Sequence, residues 1–273
     1  MVMIYLRAVR ARGPLGTAKS LARPQTLFRH LKRIILGDSG PSQNFYVPSL
    51  DRDLEADFCR SLSGLPAEQV VQAFGELDSD QAFVTDLRAR YRLFRGDHAP
   101  PLSLGRLANW YVLVRLINPA VVLETGVHDG LSSALILRAM SRNQKGRLIS
   151  IDLPHPDLPP GADGPGWLVA GELRSRWKLH LGDARKLLPE LGFRNAPIDL
   201  FIHDSDHSRE FQQFEYQTII PFLARPGFLL SDDAQADLID ELGKQNQVPA
   251  YIAEGADANL GIKIGGIRLE REG

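Results

Sequence analysis

Two short segments hold most of the residues able to do chemistry. Asp199-Leu-Phe-Ile-His203-Asp204-Ser-Asp-His207 ends an apolar run in acids and histidines, and Gly227-Phe-Leu-Leu-Ser-Asp232-Asp233 ends another in a pair of acids. Each reads as a buried strand whose last residues turn polar. Neighbouring strands lie ~4.8 Å apart, so if these two are neighbours, Asp204, Asp232 and Asp233 converge on one point. Three carboxylates with no thiolate suit a hard divalent ion such as Mg²⁺ or Mn²⁺. The same acids equally suit a helix cap and a turn acceptor, and the residues alone leave both readings open. His207, three residues after Asp204, reaches the same site across a strand-to-helix turn. An imidazole beside acids is a general-base candidate near neutral pH. His203 has the opposite pleat to Asp204 and is expected to face away from it. Ser208 is a natural N-cap for the helix that follows, with Glu210 in its first turn.

The second centre of interest is Val121-Val-Leu-Glu124-Thr-Gly126-Val-His128-Asp-Gly130, a buried strand, an acid, a glycine-bearing loop and a helix from about Leu131. Open α/β sheets build nucleotide pockets from this unit. The G-x-G-x-x-G spacing fails because His128 stands where the second glycine belongs. A pyrophosphate needs that bare backbone, whereas a cofactor with an adenosine and no phosphate does not. Asp152 ends the next strand, about one βαβ unit after Glu124, and is placed for ribose hydroxyls. Asp183, in Gly182-Asp183-Ala184, is placed for an adenine amino group. Singly, each acid is an ordinary turn or cap residue. Their shared position on one sheet edge carries the case.

These residues need a scaffold, and the hydrophobic pattern supplies one. Strands are expected at 120–124, 147–152, 178–181, 198–203, 227–232, 249–253 and 261–269. Helices are expected at 131–142, 168–176, 184–191, 209–223 and 234–245. Such alternation implies a mainly parallel sheet with helices on both faces. No helix is expected between the last two strands, which suits a terminal hairpin with the final strand antiparallel. Before the sheet, residues 50–97 read as helical, with Asp51 or Ser49 as cap, a break at Gly64-Leu65-Pro66, and Leu87, Tyr91 and Phe94 on one face. A longer helix follows at 103–118. We expect a basic N-terminal arm over 1–45, a helical extension over 46–101 and the main domain over 102–273. The stretch from Pro154 to Gly166 holds five prolines and three glycines. It lies on the ligand edge and reads as either a lid or a passive loop.

At 273 residues, 44% of them hydrophobic, the chain can bury a full core. A net charge of −1 gives no case for nucleic acid. The single cysteine, Cys59, excludes an intramolecular disulfide and a cysteine-built zinc site, and it fits a reducing, cytoplasmic setting. No apolar run approaches the ~18 residues of a spanning helix. The first forty residues carry Arg7, Arg10, Arg12, Lys19, Arg23, Arg29, Lys32 and Arg33 against Asp38. Leu27, Phe28, Leu31, Ile34 and Ile35 fall on one helical face there. Such a basic amphipathic helix suits an anionic membrane surface, but a flexible or partner-docked arm is the favoured reading.

Taken together, Glu124-Thr-Gly126-Val-His-Asp-Gly130, Ile202-His-Asp204-Ser-Asp-His207-Ser208 and Arg225-Pro-Gly-Phe-Leu-Leu-Ser-Asp232-Asp233 resemble the class I S-adenosylmethionine-dependent methyltransferases. The closer resemblance is to the subgroup of macrocin-type sugar O-methyltransferases and cephalosporin-hydroxylase-like proteins, over roughly 104–273. The resemblance implies an α/β, Rossmann-like, seven-stranded and mainly parallel sheet of order 3-2-1-4-5-7-6, its last strand antiparallel, behind an N-terminal helical extension. It implies S-adenosylmethionine held by Glu124, Gly126, Val127, Gly130, Ser132, Asp152, Gly182, Asp183 and Ala184. It implies Mg²⁺ on Asp204, Asp232 and Asp233, with His207 and Asp204 as catalytic residues. The expected reaction is O-methylation of a small molecule, such as a sugar or polyketide glycoside, by a chain that can form a homo-oligomer. A metal-dependent hydrolase built on the Asp/His cluster, and a non-catalytic binding module with the same fold, are the two rivals.

Overall fold

The computed structural model describes residues 52–96, 102–155, 158–191, 197–254 and 263–270. These belong to one of two units of the chain; the other, residues 1–44 and 98–100, lies outside them. So do the expected arm, its amphipathic face and the caps at Ser49 and Asp51.

Seven strands form one sheet: β1 Val121–Thr125, β2 Arg147–Asp152, β3 Trp177–Leu181, β4 Ile198–His203, β5 Leu223–Ser231, β6 Ala250–Glu254 and β7 Lys263–Leu269. Their order is β3-β2-β1-β4-β5-β7-β6. β7 runs antiparallel to both β5 and β6, and the other pairings are parallel. This is the Rossmann-like architecture and strand order expected. The central strand β1 is buried along its whole length, as a parallel strand covered on both faces must be.

In chain order the helices are α1 Arg52–Ser63, α2 Ala67–Ser79, α3 Gln81–Arg95, α4 Ala108–Ile117, α5 Leu131–Asn143, α6 Ala184–Glu190, α7 Arg209–Ile219 and α8 Ala236–Asn246. The strand pleat divides their packing. Leu123, Phe201, Leu229 and Ile267 meet Leu188 of α6, Tyr216 and Ile219 of α7, and Leu238, Ile239 and Leu242 of α8 in one continuous core. The opposite face is covered by α5 over β2 and by α1 over β6 and β7, with α4 packed against α5, α1 and α2. Residues 108–114 of α4 are buried without exception, because this helix lies between the sheet and the N-terminal helices.

Four expectations are corrected. Residues 168–176 form only a 3-10 turn, Gly171–Arg176. Trp167, Leu168, Val169 and Ala170 before it are all buried, so packing on every side overrides the one-faced pattern read as a helix. The 209–223 helix stops at Ile219 because Pro221 falls in a 3-10 turn, Ile220–Phe222, and Leu223 already opens β5. The single helix over 103–118 is a 3-10 turn, Gly105–Leu107, followed by α4. Finally, residues 50–97 contain a second break, at Asp80, besides the one at Gly64–Pro66. Leu87 and Tyr91 are buried as expected, and Phe94 lies against Trp167 with ring centroids 5.0 Å apart.

Asp80 explains that second break. It caps α3, accepting from the Phe83 N–H, and receives Arg138 and Arg142 of α5 at 2.7 and 3.0 Å. Burial would raise its pKa, but the two guanidinium hydrogen bonds outweigh it and hold the carboxyl below its usual range. Arg115 of α4 grips Glu76 of α2 at 2.8 Å. Among the described residues no helix is long and apolar enough to cross a membrane.

A carboxyl held low in the folded state stabilises above its ordinary pKa of 3.8 and loses that effect as pH falls below it. Asp80→Ala is expected to lose about 3 kcal/mol at pH 7, with the gap to wild type narrowing in acid; urea denaturation from pH 7 to 3 measures it. A constant gap would show that the capping bond, not the ion pairs, dominates.

Candidate active site

The carboxyl ends of β1, β4 and β5 are level. Thr125 pairs with His203 and His203 with Ser231. The ladder then runs one step past the strands: Asp204 N–H donates to Thr125 O and Asp232 N–H to His203 O, each at 2.8 Å. Gly126, Asp204 and Asp232 therefore follow in one row across the sheet edge. The row is tight at Gly126. Its φ is +84°, and a Cβ there would lie 2.0 Å from Asp204 O, so only glycine allows the loop and the end of β4 to meet. Gly130 has φ +89° and a Cβ there would strike Gly166 Cα at 2.5 Å. His128 also takes a left-handed backbone, φ +51°, so the loop keeps its shape at the position where a glycine is missing.

Glu124 lies behind this loop. It is fully buried, and its two oxygens accept from Ser132, Ser133 and Ser150 at 2.6–2.7 Å. Burial raises its pKa to about 7 against the three hydroxyl bonds that lower it. Glu124 and Ser132 thus face each other, tying the start of α5 to β1 and β2. Val127 is buried beside them. Asp152 supports the loop from the other side: one oxygen accepts from the Val127 and His128 N–H groups at 3.1 and 2.7 Å, and the other from Leu153 N–H. Gly182 N–H donates to Asp152 O. Asp183 caps α6 through Arg185 N–H at 2.9 Å, and Ala184 is buried. The described end of the proline-rich stretch is docked on the same loop, with Gly166 N–H on His128 O and Leu168 N–H on Asp129 O, both 2.9 Å.

At the β4–β5 end the structure adds a residue that the sequence reading passed over. Arg106, from the 3-10 turn before α4, places Nε on Asp232 Oδ1 and a terminal nitrogen on Asp232 Oδ2, both at 2.5 Å. The same terminal nitrogen lies 3.4 Å from Asp233 Oδ1. Arg106 and Asp232 are both buried, so this bidentate pair is shielded from solvent screening. Arg106 opening the mainly apolar stretch Leu107 to Val114 is the signal that would have flagged it as buried, though not which carboxylate it pairs with.

His207 stands between two acids, with Nδ1 3.1 Å from Asp233 Oδ2 and Nε2 3.7 Å from Asp204 Oδ1. Burial would lower its pKa, but hydrogen bonding to Asp204 and Asp233 raises it to about 10. Asp204 is pushed up to about 8, by burial first and then by the charge of Asp232. The expected general base is therefore held as an imidazolium at neutral pH, with Asp233 at 3.1 Å as its carboxylate partner. Asp233, at φ +42°, turns towards His207 and Arg106.

His203 is not remote from the site. It is fully buried on Glu215 at 2.6 Å, and its ring is T-shaped against His207 at 5.6 Å. Glu215 also accepts from Thr125 and Ser205, so α7 secures the ends of both β1 and β4.

Asp204, His207 and Asp232 each bring one ligand-type atom within 4.8 Å of the others, while Asp233 stands outside that group. A divalent cation does not fit the arrangement as it stands. His207 Nε2 has no hydrogen-bond partner among the described residues, but both Asp232 oxygens already accept from a guanidinium, and a dication would lie beside the Arg106 charge.

Residues 123–234 match the family model described as a methyltransferase domain. The fold is that of the class I methyltransferases. Among solved structures, the O-methyltransferase TomG from Streptomyces achromogenes, in complex with SAM, aligns over 71% of this chain and 92% of its own at 16% identity, with a TM-score of 0.51. An O-methyltransferase candidate from Klebsiella pneumoniae aligns over 71% and 91% at 18% identity, with a TM-score of 0.50. No curated protein matches the sequence. The matched stretch begins just before Glu124 and ends just past Asp233, enclosing every expected site residue.

A carboxyl with a raised folded pKa contributes stability that is fully present below its ordinary value, 4.5 for Glu124, and lost as pH rises through about 7. Glu124→Gln carries no such charge. Its stability, from chemical denaturation between pH 4.5 and 8, is expected to be flatter than wild type by on the order of 2–3 kcal/mol. An unchanged slope would mean that Glu124 titrates normally.

Proposed function

We propose that the chain transfers a methyl group from S-adenosylmethionine to a hydroxyl oxygen of a small molecule. The observation that carries this reading is the construction of one sheet edge, where the Gly126–Gly130 loop is clamped between Glu124 and Asp152 beside the level row of Gly126, Asp204 and Asp232. Asp152 and Asp183 are the acids for the ribose and the adenine, with Gly126, Val127, Gly130, Gly182 and Ala184 as the surrounding backbone and wall. Glu124 and Ser132 act on the donor through the loop they fix.

The donor would supply an electrophilic methyl carbon, displaced in line, so no proton moves at that carbon. The protein's tasks are to orient the acceptor oxygen and to receive its proton. Asp204 and His207 share these tasks. His207, kept as an imidazolium by Asp233, is a donor that can fix the acceptor oxygen. Asp204, with its pKa up to about 8, takes the hydroxyl proton in its ionised form, whose share grows as pH rises towards that value. A sugar or polyketide hydroxyl, as in the macrocin-type subgroup, is the acceptor class of this reading, ahead of a phenolic hydroxyl, and rests on sequence resemblance. A cytoplasmic setting belongs to the same reading, supported by the single cysteine, Cys59, which is free and buried. Mg²⁺ assistance, expected from the sequence, has little to support it beside the Arg106–Asp232 pair, and no step here depends on it. The hydrolase rival needs that metal and leaves the Gly126 loop without a task.

Calorimetric titration with S-adenosylmethionine is expected to give a dissociation constant on the order of micromolar, weakened by at least about 10-fold in Asp152→Ala. No heat of binding to the wild-type protein would overturn the reading. With an acceptor from a hydroxyl screen, Asp204→Asn is expected to cut turnover by about 100-fold or more while donor affinity is kept. Donor binding without turnover on any acceptor would favour a non-catalytic module.

A further inference from the structure

We infer that Arg106 is the resident cation of this active site: its guanidinium stands where an acid-rich methyltransferase edge would otherwise take a divalent metal, and the chain works without one. The inference rests on the methyl-transfer reading for its catalytic consequence only; the chemistry of the cluster stands by itself.

Three carboxylates, Asp204, Asp232 and Asp233, meet at the ends of β4 and β5, and like charges this close need a counter-charge. Two side chains supply it. Arg106 spans Asp232 with its fork and reaches Asp233 at 3.4 Å, and His207 bridges Asp233 and Asp204. Every acid of the cluster therefore already faces a nitrogen. Mg²⁺ demands near-octahedral oxygen ligands at ~2.0–2.1 Å. Those are not on offer while a buried guanidinium holds both oxygens of Asp232.

Arg106 is also built into place. The Asn109 amide donates to its carbonyl at 2.8 Å, and Asn109 in turn accepts from the Cys59 thiol of α1. The turn that carries Arg106 is thus pinned between the N-terminal helices and the sheet. A guanidinium stays charged at any working pH, whereas a bound metal depends on supply. Its role is positioning: it fixes Asp232 and sets the field around Asp204 without having to touch the acceptor.

The test is titration of the full chain with Mn²⁺ and Mg²⁺ by calorimetry, which needs neither donor nor acceptor. Wild type is expected to show no site tighter than about 1 mM, and Arg106→Gln, which vacates Asp232, is expected to gain Mn²⁺ affinity by at least about 10-fold. If Arg106→Gln does not fold alone, refolding it with and without Mn²⁺ asks the same question, and rescue by the metal is expected. A wild-type site tighter than that limit and lost in Asp204→Asn would overturn the inference. So would an Arg106→Gln protein that neither gains metal affinity nor is rescued. Any of these results leaves the donor titration, and with it the methyl-transfer reading, independently decided.

Discussion

The level ending of β1, β4 and β5 is the constraint on which the site depends. Because Thr125, His203 and Ser231 pair across the sheet, the next residues must emerge side by side, and two of those three are acids. Parallel register thus forces negative charge into a narrow strip at the carboxyl edge, where Asp232 is buried and its neighbours are partly so. Charge in such a place must be neutralised or protonated. The structure does both: Arg106 pairs with Asp232, His207 is held protonated against Asp233, and Asp204 is pushed towards its neutral form.

The same problem is solved differently a few ångströms inside the sheet. Glu124 has no cation; three serine hydroxyls serve it instead. Neutral donors stabilise a buried carboxylate less than a guanidinium does, which is why its pKa rises to about 7. The result is a rigid joint between β1, β2 and α5 directly beneath the loop. Asp152 then clamps that loop from above through two N–H groups. One acid below and one above define the loop's path, and Gly126 and Gly130 supply the backbone angles that such a path needs.

The N-terminal helices take part in the chemistry through this charge balance. They carry no acid or base of the site, yet they hold the turn bearing Arg106 through Asn109 and Cys59. Asp80, with Arg138 and Arg142, locks them to α5, the helix whose first turn holds Glu124. The cap of α3 and the joint under the loop are therefore linked by a single helix.

The sequence pattern alone determined the strands and the acids at their ends, while the order of the strands came from the family resemblance. Buried parallel strands read as short apolar runs, and Glu124, Asp152, Asp183 and Asp204 each follow such a run, so local pattern sufficed. What the pattern could not reveal was partnership. Arg106 and Asp232 are 126 residues apart, and nothing local to either names the other. His207 read as a neutral base because a lone imidazole is one; only the folded chain sets the Asp233 carboxylate 3.1 Å from its Nδ1. Likewise His203 was assigned to the far pleat correctly, yet α7 brings its ring against His207. Spacing along a strand fixes which way a side chain leaves the backbone. Its charge state and its partners are set by long-range packing, and those only the tertiary structure decides.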